Sequence, residues 1–242
     1  MGHDRLHDTI NVRTLPNQRE PAPYAQSGRP STGRSSRTFK PRRGRLTARE
    51  QEAVDLWLPS YSFTPQAHQS IPFDPLVIDI GFGNGETTVA LAGEFQDATI
   101  IAIDVHTPGF GALLRELHDQ SITNVKICDS DALDVLRWSV HDRSVSLINA
   151  TFPDPWPKVG QQHRRLVQPS FLDMLALKLR VGGTFRFVTD WLPYAEQVRE
   201  LFRNDDRFEQ VPTWSTRPTT KFERRAIEAG RPSTDLAYVL CA

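Results

Sequence analysis

"LVIDIGFGNGETTVALA", residues 76 to 92, passes from an unbroken apolar run through a glycine-rich turn into a helical pattern. Five apolar-dominated residues bounded by turn signals are too few for a helix and read as a buried strand. GFGNG (81–85) is the turn, and ETTVALA (86–92) starts the helix. The same unit recurs outward from it. TIIAIDV (99–105), NVKIC (124–128), VSLIN (145–149), TFRFVT (184–189) and DLAYVLC (235–241) read as strands. Helical patterns lie between them at 110–120, 131–138, the later part of 166–179 and 194–202, with VGG (181–183) expected to stop the third. Strands that are apolar on both faces, alternating with helices, predict a doubly wound α/β fold: a mostly parallel sheet with helices on both faces.

The net charge of zero conceals a division. Residues 1–49 hold 11 Lys/Arg against 3 Asp/Glu, and the remainder holds 18 against 26. No acidic residue occurs from Pro21 to Arg49, and SGRPSTGRSSR (27–37) cannot support a core. Residues 1–38 therefore read as a basic, disordered arm suited to a polyanion. An entry segment (39–75) and the α/β core (76–242) follow. No apolar run reaches the ~18 residues of a membrane span, and no export signal is legible, which predicts a cytoplasmic protein without a membrane partner. Cys128 and Cys241 fit neither a disulfide framework nor a zinc pattern and are expected to be buried thiols. The scattered histidines suggest no metal site.

In such sheets ligands bind beyond the carboxyl ends of the strands. That directs attention to the loops GFGNG (81–85), VHTPG (105–109), SDA (130–132), FPDPWPK (152–158) and TDWLPY (189–194). A dinucleotide fingerprint would need a glycine at 86, where the chain has Glu86; the third glycine is Gly85, after Gly81 and Gly83. Asp79 stands just ahead of the turn, where pyrophosphate would be repelled and the amino group of S-adenosylmethionine welcome. Asp104 ends the second strand and suits ribose hydroxyls. Asp131 follows the third and suits an adenine amino group, although an aspartate there also caps helices. The set describes a methyl-donor site.

"NATFPDPWPKV" (149–159) raises a separate question. Pro153, Pro155 and Pro157 forbid helix and paired strand alike, so the loop is stiff. It holds Asp154 and Trp156. Taken alone this is a stiff surface turn that fixes one carboxylate in place, and Trp156 and Trp191 read as core or lid residues as readily as platforms.

Together DIGFGNGE, AIDVHTPGFGALL, SDALDVL, TFPDPWPK, RRLVQPSFLDMLALKLRVGG, TDWLPYAE and RPTTKFERR resemble the bacterial tRNA (guanine-N7-)-methyltransferases, as does the entry stretch FKPRRGRLTAREQEA (39–53). The resemblance runs from about residue 39 to the C-terminus. It implies a class I, S-adenosylmethionine-dependent enzyme that methylates N7 of a guanine in the tRNA variable loop. It implies donor contacts at Asp79, Asp104, Asp131 and Asp154, with Asp154 also the active-site residue. It implies substrate contacts at Lys158, Asp190 and the run Thr220, Lys221, Phe222, Glu223, with Arg164 and Arg165 in an RNA-contacting stretch. KVGQQHRR (158–165) departs from the family pattern, since Gly160, Gln161 and His163 replace basic or aromatic groups. That departure gives standing to a rival reading, a non-catalytic tRNA-binding protein of the same fold. A dehydrogenase is disfavoured by Glu86, and a small-molecule methyltransferase by the basic arm and the basic 217–231 stretch.

Overall fold

A computed structural model describes residues 37–39, 45–64, 74–106, 108–214 and 217–241. The chain divides between Ser35 and Ser36; the basic arm expected at 1–38 falls outside the described residues except for Arg37 and Thr38. The larger unit is built on one seven-stranded sheet: β1 (Leu76–Ile80), β2 (Thr99–Asp104), β3 (Val125–Asp129), β4 (Val145–Thr151), β5 (Leu179–Thr189), β6 (Phe208–Gln210) and β7 (Thr234–Leu240). The order is β3-β2-β1-β4-β5-β7-β6; β1 to β5 pair in parallel and β7 runs antiparallel to both neighbours. This is the class I methyltransferase arrangement of a doubly wound sheet.

Parallel neighbours cannot be joined by a hairpin, so helices make the crossovers. They are α2 (Glu86–Glu94), α3 (Pro108–Asp119), α4 (Ala132–Ser139) and α5 (Pro169–Lys178), with α6 (Leu192–Arg203) after β5. Alternate side chains of each strand feed separate cores. Ile78, Ile101 and Ile148 pack with residues of α4, α5 and α6. Val77, Ile100 and Leu147 pack with α2, α3 and an entry helix, α1 (Ala48–Tyr61). Thr47 caps α1 through a box, its hydroxyl accepting from the Glu50 N–H while Glu50 accepts from Thr47 N–H. Another short helix, α7 (Lys221–Glu228), precedes β7.

Two expectations are corrected. α5 ends at Lys178, before VGG, and Gly182 and Gly183 lie inside β5. There the register against β4 shifts between Val145 and Leu147, so the glycine pair lies in an irregular stretch of the strand rather than at a helix cap. Cys128 is buried, but Cys241 is exposed near the chain end. Among the described residues no helix is long and apolar enough to cross a membrane.

Candidate functional site

The sheet reverses its direction of growth between β1 and β4, and the loops at their carboxyl ends are where doubly wound sheets bind ligands. Gly81, Gly83 and Gly85 all have positive φ (74°, 57° and 92°), which lets the chain turn sharply from β1 into α2. Gly109, at the start of α3, backs directly onto this turn; a Cβ there would overlap the Gly83 carbonyl oxygen. The carboxylate of Asp104 holds the turn from the side. It accepts from Gly83 N–H at 2.8 Å and from the N–H groups of Val105 and His106 at 2.7 and 2.8 Å. Burial nevertheless raises its pKa.

Asp79 is placed differently from expectation. It is 1% exposed, beneath the turn, and both oxygens are engaged: Thr88 Oγ1 donates at 2.7 Å and Asn149 Nδ2 at 2.8 Å. Burial pushes its pKa up to about 6. An aspartate this short ends within the sheet, where its two oxygens order the side chains of Thr88 and Asn149. Asp131 is the N-cap of α4, accepting from Leu133 N–H at 2.9 Å, and burial raises its pKa as well.

Residues 152–157 adopt neither helix nor strand, as the three prolines require. Phe152 and Trp156 have φ of 54° and 43°, uncommon for bulky side chains, so tertiary contacts must impose the loop's shape. Asp154 is partly buried between them. Trp156 is buried: it is 2% exposed, its indole N–H donates to Thr38 O at 2.9 Å, and Arg164 covers its face. Arg164 Nε in turn donates to Arg37 O at 3.0 Å. Lys158 is exposed at the start of a 3-10 turn, Val159–Arg164.

Arg165 lies away from the surface. Expected to face RNA, it is buried, with Nε on Pro155 O at 2.8 Å and Nη1 on Gln197 Oε1 and Pro193 O. Asp190, just beyond β5, accepts from Arg231 Nε at 3.0 Å. Trp191 caps α6 and packs against the core.

The TKFE run opens α7 and divides by depth. Lys221 and Phe222 are exposed, and the Phe222 ring lies 5.2 Å from that of Phe152. Thr220 and Glu223 are buried, and both have partners within the protein. Thr220 caps α7 by accepting from Glu223 N–H. Glu223 takes a two-point ion pair from Arg217 at 2.6 and 2.7 Å, which holds its carboxyl below the usual range, and Arg217 also grips Asp235 at 2.6 and 2.8 Å. Arg217, Gln197 and Asn149 were missed in the sequence, where nothing local marks their partners. Among the described residues no group of three or more His, Cys, Asp or Glu is arranged to hold a metal ion.

Comparison with known proteins agrees in one direction. Residues 74–236 match the family described as "Putative methyltransferase". The chain is 36% identical over 219 residues to a tRNA (guanine-N(7)-)-methyltransferase of Francisella philomiragia, covering 85% of this chain and 95% of that one. It is 37% identical over 231 residues to the protein of that description from Pseudomonas savastanoi, covering 90% and 94%. The counterpart from Streptomyces avermitilis is 36% identical over 218 residues, covering 85% and 75%.

Proposed function

The chain belongs to the tRNA (guanine-N7-)-methyltransferase family, and from that premise we propose how its residues divide the work of methylating guanine N7 in tRNA. It is an S-adenosylmethionine-dependent tRNA (guanine-N7-)-methyltransferase. The target we assign is a guanine of the variable loop, and the compartment that suits such a substrate is the cytoplasm.

The first turn suits the donor. At Gly81 and Gly83 the backbone borders open space that a side chain would fill, beside the carboxylate of Asp104. Gly81, Gly83 and Gly85 offer backbone, Asp104 takes ribose hydroxyls, and Asp131 takes the adenine amino group. Asp79 contributes negative charge from below. S-adenosylmethionine supplies, when bound, a methyl group made electrophilic by its sulfonium.

Guanine N7 carries a lone pair and no proton. The N7–methyl bond forms as the sulfur–methyl bond breaks, so no residue need act as a base. Positioning therefore supplies most of the rate. The purine becomes cationic, and a preorganised carboxylate stabilises that charge. Asp154 fills this role, with Asp190 presented from the neighbouring strand end. Lys158, Arg164 and Lys221 meet RNA phosphates, Phe222 meets the nucleotide, and Thr220 with Glu223 fixes the helix that carries them.

The observation that carries this reading is the stiff FPDPWP loop, which holds a single carboxylate at the end of β4 beside the switch point. Incubation with unmodified tRNA and labelled S-adenosylmethionine, followed by digestion, should yield labelled 7-methylguanosine. Intact tRNA binding with no labelled 7-methylguanosine would leave the chain a binding protein.

A further inference from the structure

Arg165 is 2% exposed and heads the fully buried large side chains, yet no carboxylate pairs with it among the described residues. A buried cation is costly unless its donors are taken. An apolar side chain would fill the same space without that cost. What the guanidinium supplies instead is a rigid fork of donors.

Its acceptors lie on two separate segments. Nε donates to Pro155 O at 2.8 Å; Nη1 donates to Pro193 O at 3.4 Å and to Gln197 Oε1. Pro155 follows Asp154 directly, and Pro193 lies three residues beyond Asp190. Three prolines deprive the Asp154 loop of backbone N–H groups, so carbonyls are its main backbone handles. Arg165 seizes one of them. Gln197 extends the tie by donating to Val167 O at 3.0 Å, and Arg165 stacks over the Tyr194 ring at 4.9 Å. The loop's unusual positive-φ backbone needs such external fixing.

We propose that Arg165 is the positioning residue of the site, a guanidinium fork that fixes the Asp154 loop against the first turns of α6, the helix that follows Asp190, so that both carboxylates meet one guanine. The proposal rests on the function given above for Asp154. It removes Arg165 from the RNA-binding surface and assigns it to the rate of the chemical step.

The test compares wild type with Arg165→Met, which fills the volume without donors, and Arg165→Lys, which keeps charge but cannot span both segments. Gln197→Leu serves if either fails to fold. Methyl-donor affinity by calorimetry and KM for tRNA should stay close to wild type, while kcat falls roughly 10- to 100-fold, as misplacement by about 1 Å predicts. Combined with Asp154→Ala, each change should add little further loss, because the fork acts through that carboxylate. Amide exchange should quicken roughly tenfold in both 151–158 and 190–197, whatever the activity. Unchanged kcat, a loss additive with Asp154→Ala, or unaltered exchange in either segment would overturn the proposal. Absence of 7-methylguanosine formation by wild type would instead overturn the functional reading, and exchange would still decide the fork.

Discussion

Asn149 on β4 donates a hydrogen bond of 2.8 Å to the carboxylate of Asp79 on β1, its register partner across the point where the sheet changes direction. Together with Thr88 it satisfies an acid that is otherwise sealed from water. Burial still outweighs these bonds and lifts the pKa to about 6.

That has a defined pH signature. The folded state keeps Asp79 protonated up to about pH 6, whereas the unfolded chain releases the proton near 4. Stability is therefore greatest below the unfolded value and is lost as pH rises toward 6, by on the order of 3 kcal/mol. Asp79→Asn can accept from Asn149 and donate to Thr88, so it should fold and lack this slope. Urea midpoints of the two proteins between pH 4 and 7 measure the difference. A constant gap across that window would show that Asp79 is ionised throughout.

Asp154→Ala should lower kcat roughly 100-fold or more, the cost of losing one preorganised electrostatic partner. The fold should survive, because the side chain is not part of either apolar core. Single-turnover methylation of tRNA at saturating donor isolates the step. Activity within a few-fold of wild type would reduce Asp154 to a turn residue.

Gly109→Ala should weaken the methyl donor selectively. The added Cβ has to displace the Gly83 carbonyl, and with it the turn that Asp104 holds. Overpacking of backbone against backbone relaxes poorly, and a loss of roughly tenfold in donor affinity is expected. Calorimetry with S-adenosylmethionine reads it directly. Undiminished affinity would mean that the glycine turn does not line the donor site.

Arg217→Met should destabilise the protein by about 3–5 kcal/mol, since it strands Glu223 and Asp235 beside each other without their cation. Loss of α7 should accompany it, and KM for tRNA should rise. Replacing Glu223 and Asp235 by glutamine and asparagine in the same protein should restore part of the stability. Failure of that restoration would locate the role of Arg217 outside the ion cluster.

Most of the sheet was legible because its central strands are apolar on both faces, whereas β6, three residues of which only Phe208 is buried, carries no such signal and was not read. Asp104 could be read from its place at a strand end. α1 was not legible: only Ala53 of its residues is buried, leaving little periodic signal beyond the Thr47–Glu50 box. The glycine pair at 182–183 misled because an irregular strand and a helix cap ask for the same backbone freedom. The burial of Arg165 and Glu223 was not legible for a shared reason. Whether a charge is buried depends on its partners in the fold: Gln197, 32 residues beyond Arg165, and Arg217, only six residues before Glu223 but at no helical or strand spacing that marks the pair.

The hydrogen bond from the Trp156 indole to Thr38 O, and that from Arg164 to Arg37 O, decide where this chain can be divided. Composition invites a cut before Phe39, which would delete both acceptors and strand a buried indole N–H. A fragment so trimmed would lose catalysis through its proline loop, and the loss would be credited to the missing basic residues. Cutting between Ser35 and Ser36 keeps both carbonyls. Only that shorter deletion separates the electrostatic contribution of the leading segment from damage to the proline loop, through the salt dependence of tRNA affinity.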